Sequence, residues 1–305
     1  MTKFCHIAPT DFLSSSMQDS GAHLILAHLA EEDETYAQAF KSDTTKIKIL
    51  DNSAFEMFKR GLPMYPSEKL IDIGKKVGAD YVVMSDYPNE PSWKTIEAAK
   101  ELAPKFRAAG FGTFFVPQSR QGDPDDYFRA FDWAANSSIV DYIGVSILAA
   151  PLAFNAEKGN NLQRFLSRWH TMRILAERGI LDVITRAGKK IHFLGMVDGP
   201  NEISLVSEFL YMIDTWDSSA AYWYAINGIA FDRSPTGSHT GKFEKEVDFS
   251  WKRSTRRFIR VGLDLAHADA AGDHEETLIW HNVEHINKQL NFNRPYYPLA
   301  SNLGA

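Results

Sequence analysis

The sequence predicts an α/β fold, a (β/α)8 barrel with a helical carboxyl-terminal extension. Three observations predict it. Short apolar runs recur and each ends in a polar or acidic residue: Lys48-Ile49-Leu50-Asp51, Tyr81-Val82-Val83-Met84-Ser85-Asp86, Thr113-Phe114-Phe115-Val116-Pro117-Gln118, Asp141-Tyr142-Ile143-Gly144-Val145-Ser146, Ile191-His192-Phe193-Leu194-Gly195-Met196 and Ile213-Asp214-Thr215-Trp216-Asp217. Continuous apolar runs of this length read as strands buried on both faces of a parallel sheet. Helical segments with recognisable starts and stops separate the runs, which is the rhythm of right-handed βαβ units. The length, 305 residues, suits one barrel of roughly 250 residues plus insertions.

Taken in order, residues 23–29 read as the first barrel strand; His23 and His28 could face a pocket, but read more readily as strand-end or surface residues with local partners. An acidic helix follows over 31–40, and then the Asp51 strand. Pro66-Ser67-Glu68 opens a helix over 69–77 that stops at Gly78, because proline suits a helix start and glycine a helix end. Pro91-Ser92 opens the next, over 93–109, and Asp123-Pro124-Asp125 the one after, running to Ala135. Residues 149–161 are small and polar and read as a long loop. A helix over 162–178 carries Arg164, Arg168 and Arg173, which read equally as an approach to the site and as a solvated face. A helix over 200–211 leads to the Asp217 strand, and residues 226–231 read as the final strand. The extension begins at about residue 243 and holds two helices within 250–289, split at Gly272-Asp273; the whole chain, 1–305, reads as one domain. Arg253, Arg256, Arg257 and Arg260 share one face of the first of these helices, a candidate phosphate-contacting surface.

Composition bounds the function. At 44% hydrophobic and 24% charged, the chain can bury a sizeable core. A net charge of −6 excludes a generally basic coat but leaves room for a local basic groove. The lone Cys5 excludes an internal disulfide and a multi-cysteine zinc site. There is no Walker or dinucleotide glycine fingerprint, so no cofactor and no metal is expected. No run approaches the roughly 20 apolar residues of a membrane span, and no signal peptide is evident, so the sequence predicts a soluble, cytoplasmic protein without a membrane partner.

The strand ends, taken in order, resemble the tRNA-guanine transglycosylase superfamily over about residues 49–217. Asp51-Asn52-Ser53-Ala54-Phe55 is similar to the family's aspartate-serine-glycine-glycine-aromatic segment. The run ending at Asp86 resembles the strand that ends in a base-reading aspartate, Phe115-Val116-Pro117-Gln118 the glutamine strand, and Tyr142-Ile143-Gly144-Val145-Ser146 the glycine-containing strand. The stretch from His192 to Val197 and the run ending at Asp217 resemble the segment before the nucleophile strand and that strand itself. Three features depart from the pattern. The zinc-binding cysteines are absent, Val145-Ser146 replaces a second glycine pair, and Met196 follows Gly195 where the family has the reverse order. The absence of the zinc subdomain resembles the phage-type and bacterial DNA-guanine transglycosylases, which insert 7-deazaguanines into DNA.

The resemblance implies a base exchange in DNA, guanine leaving and a 7-deazaguanine such as the 7-cyano form entering, with the free bases and DNA as partners. Retention at the sugar carbon implies two displacements through a covalent intermediate. Asp217 is the expected nucleophile, and Asp51 the acid that assists the leaving base and deprotonates the incoming one. Asp214, three residues before Asp217, would point to the opposite face of a strand. Asp86 would accept from guanine's ring N–H and amine, Gln118 and a backbone amide at Gly144 or Ser146 would donate to its carbonyl, and Phe55 and Met196 would stack on it. Rival readings are the same exchange on tRNA, against which the missing cysteines speak, and a catalytically silent nucleic-acid-binding subunit, against which both retained acids speak. A barrel enzyme acting on a free nucleoside or sugar phosphate would leave the arginine face unexplained.

If the arginine face meets phosphates, changing Arg256 and Arg260 to alanine should flatten the dependence of DNA affinity on salt, by about one unit of slope for each phosphate no longer neutralised. Binding titrations at several salt concentrations read this, and an unchanged slope assigns the cluster elsewhere.

Overall fold

A computed structural model describes residues 1–8, 12–196, 199–231 and 274–292. Eight parallel strands form a nearly closed barrel: β1 (Lys3–His6), β2 (His23–Leu26), β3 (Lys48–Asp51), β4 (Tyr81–Val83), β5 (Gly112–Phe115), β6 (Tyr142–Ser146), β7 (Lys190–Leu194) and β8 (Thr215–Ser218). The ladder runs β1-β8-β7-β6-β5-β4-β3-β2. Between β1 and β2, Gly21 N–H donates to Phe4 O at 2.7 Å and completes the circuit.

Side chains alternate across a strand, so each strand sends one set to the barrel axis and the other to the helices. Cys5, Leu24, Ile49, Val83, Phe114, Val116 and Tyr142 form an inner apolar cluster. Phe4, Ile25, Leu50, Val82, Phe115, Ile143, Phe193 and Trp216 belong to the outer layer, packed with the helices. That ring comprises α1 (Leu13–Asp19), α2 (Ala27–Glu32), α3 (Glu34–Ser42), α4 (Ala54–Arg60), α5 (Ser67–Val77), α6 (Ser92–Ala108), α7 (Pro124–Asn136), α8 (Ala149–Ala153), α9 (Asn161–Glu177), α10 (Ile180–Arg186), α11 (Asn201–Leu205), a 3-10 turn (Ser207–Met212) and α12 (Ala220–Ile226). One described helix of the extension, α13 (His274–Phe292), packs against α12 and α11. None of the described helices is long and apolar enough to cross a membrane.

The local signals act as expected at several ends. Gly78 closes α5 with φ +67°, a left-handed conformation glycine adopts without strain. The Asp123 side chain caps α7 through Asp126 N–H. Asp33 receives Thr35 and Tyr36 N–H, which divides the acidic segment expected as one helix into α2 and α3. The long loop expected over 149–161 contains α8, and the helix expected over 200–211 is α11 followed by the 3-10 turn.

The strand count is right but its ends are shifted. β1, not the His23 run, comes first, and the expected final strand at 226–231 is the end of α12 and a turn. The edge of β8 is taken by β1, through Lys3↔Thr215, Cys5↔Asp217 and their neighbours. In residues 229–231, Ile229 N–H instead donates to Tyr224 O at 2.9 Å, and Asn282 of α13 takes two further groups: its Oδ1 accepts from Phe231 N–H at 2.9 Å and its Nδ2 donates to Ile229 O at 2.9 Å. Of the two expected extension helices, the second is α13; the first lies outside the described residues, together with Arg253, Arg256, Arg257 and Arg260.

Asn282 is fully buried, so Asn282→Ala strands a backbone donor and acceptor. It should lower unfolding free energy by about 1–3 kcal/mol, read as a fall in the urea midpoint at constant slope.

Candidate active site

A cavity of about 1140 Å³ opens at the carboxyl ends of the strands. Every strand contributes to it: Ile7 follows β1, His28 follows β2, Asp51 ends β3, Asp86 follows β4, Gln118 follows β5, Ser146 ends β6, Met196 follows β7, and Asp217 lies in β8. Convergence of polar side chains on this face is how a closed α/β barrel builds a reaction site. A cleft of about 860 Å³ at the opposite end is lined by Tyr81, Asp141 and Lys190. Its charges are already committed, Asp141 to Arg107 and Thr113 and Lys190 to the Tyr81 hydroxyl.

Asp217 shares the inward parity of Thr215 and is largely buried. Its Oδ1 receives two hydrogen bonds, from Gly195 N–H at 3.0 Å and across 2.9 Å from His192 Nε2. Gly195 has φ +72°, and a Cβ there would lie 2.8 Å from Ile147 Cγ2, so the peptide that addresses Asp217 requires glycine. Its carbonyl accepts from Arg168 Nη1 at 2.8 Å and Trp216 Nε1 at 2.7 Å. Asp214 sits at the other end of β8, where its carboxylate accepts from Ile191 N–H.

Asp51 ends β3, partly buried, and accepts from Ser53 N–H at 2.9 Å. Burial raises its carboxyl well above the usual range, and the charges of Glu56, Asp217 and Asp86 add to that. Asp51 thus holds its proton more tightly than an ordinary carboxyl. Ser53 holds φ +55°, a left-handed backbone uncommon for a residue with a side chain. Its hydroxyl lies 2.9 Å from His28 Nδ1.

Asp86 is buried and held from both sides. Asn52 Nδ2 donates to Oδ1 at 2.9 Å and Gln118 Nε2 to Oδ2 at 2.5 Å. Burial raises its carboxyl and the two amides oppose that rise. Asn52 is itself fixed, donating to Met84 O and accepting from Ala54 N–H. The carboxylate sets the Gln118 amide, since the reversed amide would oppose two acceptors. Gln118 Oε1 is buried with no partner among the described residues. One of the glutamine's donors is thus spent on Asp86, leaving a second N–H and a free acceptor for a ligand.

Phe55 lines the cavity half-exposed, and Met196 lines it buried. Ser146 also lines it, with Oγ accepting from Leu148 and Ala149 N–H. Gly144 lies deeper in β6, where a Cβ would meet Leu194 and Phe114 at 2.8 Å each. Of the two candidate amides, only that of Ser146 belongs to a residue of the cavity wall. The three helix arginines divide: Arg164 lines the cavity, Arg168 is fully buried against Glu202 at 3.2 Å, and Arg173 is on the surface with Glu177.

Sequence reasoning missed Asn52, His192 and Gly195 as parts of this arrangement. His192 had a usable signal, a polar residue in phase with the inward Leu194. Arg168, read equally as an approach to the site and as a solvated face, is neither: it is buried beneath the cavity, against Glu202 and Gly195 O. No family model and no curated protein matches the chain.

The raised Asp51 fixes a test by linkage. Below the unfolded value of about 3.9 both states carry the proton and there is no penalty. As pH rises from there, the unfolded chain releases the proton before the folded one does, and wild-type stability falls. Asp51→Asn removes that loss, so its melting temperature should match wild type near pH 4 and exceed it increasingly towards pH 8. Equal melting temperatures across the range would place Asp51 in an ordinary carboxylate environment.

Proposed function

We propose that the protein is a zinc-free barrel transglycosylase that exchanges guanine in DNA for a 7-deazaguanine such as the 7-cyano form, through a covalent aspartyl intermediate. One observation carries the reading: Asp217 is presented at the floor of the cavity with Oδ1 doubly held, within electrostatic reach of an Asp51 whose carboxyl is raised. A fixed carboxylate nucleophile beside a proton-holding acid is the pair that a retaining displacement at a sugar carbon needs. The cavity exceeds the roughly 300–1,000 Å³ of a common small-ligand site, leaving room for a base with its sugar. A base embedded in a duplex must leave the stack to enter it.

In this mechanism Oδ2 of Asp217 attacks the sugar carbon while the bond to guanine breaks. Asp51 gives its proton to the departing guanine nitrogen and becomes a carboxylate. The incoming base loses its ring proton to Asp51, its nitrogen attacks the same carbon, and the ester to Asp217 breaks. The enzyme returns to its starting protonation. Asp86, held by Asn52 and Gln118, accepts from the ring N–H and exocyclic amine shared by guanine and its 7-deaza analogue, and Phe55 and Met196 sandwich the ring.

Incubation with labelled guanine and either DNA or tRNA decides the polymer, by where label accumulates. Asp217→Asn should lower exchange by about 1,000-fold or more while DNA binding persists. Asp86→Asn should act mainly on KM for the base, since an amide offers one acceptor and a competing donor. Denaturing wild-type enzyme during turnover and mapping the DNA adduct by mass spectrometry should find it on Asp217. An adduct on Asp51 or Asp214, or robust turnover by Asp217→Asn, would overturn the assignment.

A further inference from the structure

We propose that His192 is a positioning residue for Asp217: its Nε2–H holds Oδ1 so that Oδ2 is the oxygen presented to the sugar carbon, and Thr215 sets the ring's tautomer from below. The inference rests on the proposed role of Asp217 as nucleophile.

The interior of an α/β barrel is usually filled by branched apolar side chains. Here a line of polar groups runs down from Asp217. His192 is fully buried, with Nε2 2.9 Å from Asp217 Oδ1 and Nδ1 2.6 Å from Thr215 Oγ1. Thr215 Oγ1 is in turn 3.3 Å from the Tyr142 hydroxyl. All four side chains face inward because they occupy alternate positions of β6, β7 and β8, in the registers Tyr142↔Lys190 and His192↔Thr215.

The imidazole cannot turn freely. Phe114 meets it edge-on with ring centroids 5.5 Å apart, and Tyr142 at 6.5 Å. Its two nitrogens have different partners. A carboxylate only accepts, so the nitrogen facing Asp217 carries the proton and Nδ1 is the acceptor. Of the groups near Nδ1, the Thr215 hydroxyl can donate, its single proton going to the ring nitrogen at 2.6 Å in preference to the Tyr142 hydroxyl at 3.3 Å. A ring with its proton on Nε2 and a bare Nδ1 satisfies both contacts, and the hydroxyl beneath favours that tautomer.

The consequence for Asp217 is geometric. His192 and Gly195 both address Oδ1, and among the described residues nothing bonds Oδ2. Two donors from different elements fix the carboxylate plane, where Gly195 alone would leave it to rotate. An attacking oxygen misplaced by about 1 Å can cost about 100-fold in rate, and that is the scale expected from losing His192.

Nitrogen-15 labelling of histidine in the full-length protein, with His192→Gln used to assign the signals, tests the hydrogen bond without reference to activity. A proton on Nε2 of His192 is expected; a bare Nε2 would overturn the proposal. Kinetics test the role. His192→Leu should lower kcat by about 100-fold with KM within about twofold. His192→Gln, whose amide can reach the same oxygen, should restore kcat to within about tenfold of wild type. Should His192→Leu fail to fold, Thr215→Val leaves the ring in place and should still lower kcat at unchanged KM. A Gln variant as impaired as Leu, or kcat unchanged in Thr215→Val, would reduce His192 to a filler of the barrel. If wild-type protein exchanges no base at all, the reading of Asp217 as nucleophile falls, while the nitrogen measurement still decides whether His192 donates to it.

Discussion

The whole site depends on the parity of eight short strands. Cys5 pairs with Asp217 and Leu26 with Asp51, and side chains along each strand alternate between axis and helices. Once β8 lies against β1 in this register, Asp217, Thr215, His192 and Tyr142 must all point inward. A slip of one residue would exchange Asp217 for Trp216, moving a large aromatic ring to the axis and a carboxylate into the apolar layer under the helices. The packing of Trp216 against Phe193, with ring centroids 4.9 Å apart, opposes that slip. The same alternation that builds the core therefore aims the chemistry.

Much of this was legible in the sequence because buried parallel strands leave a simple trace. The six runs that announced the fold are six of the eight strands, and Asp51, Asp86, Gln118 and Asp217 do meet at one cavity. What was not legible has physical reasons. Strand β1 is four residues long and includes Lys3 and His6, so it has no apolar run to read. The segment at 229–231 looks like a strand because it is apolar, but Phe231 N–H and Ile229 O are met by Asn282, more than fifty residues away along the chain. Asn52 and His192 are polar residues whose partners come from other strands, and pairing of that kind leaves no local pattern.

The rigidity of the site comes at the cost of burying charge. Arg168 and Glu202 are both fully buried, and removing an ion pair from water costs several kcal/mol per ion before attraction offsets it. Such a pair is weak evidence for stability. Its use here is positional: the guanidinium lies 4.4 Å over the Phe193 ring, donates to Gly195 O, and so helps hold the glycine whose N–H, in the preceding peptide, meets Asp217. Asp86 follows the same pattern from the other side of the cavity, gripped by two amides. Both carboxylates are thus oriented by hydrogen bonds within the protein itself.

Closure of the barrel through β1 and β8 also has a consequence for how the chain is made. Cys5 leaves the ribosome first and its partner Asp217 follows 212 residues later, a delay of roughly 10–40 s at 5–20 residues per second. Through that interval the nascent barrel is an open sheet, and the edge of β1 that will pair with β8 is an unpaired template for other strands. The two charged or ionisable ends of this four-residue strand, Lys3 and His6, shorten the apolar stretch such a template can offer. The feature that hid β1 from pattern reading thus also guards it during synthesis.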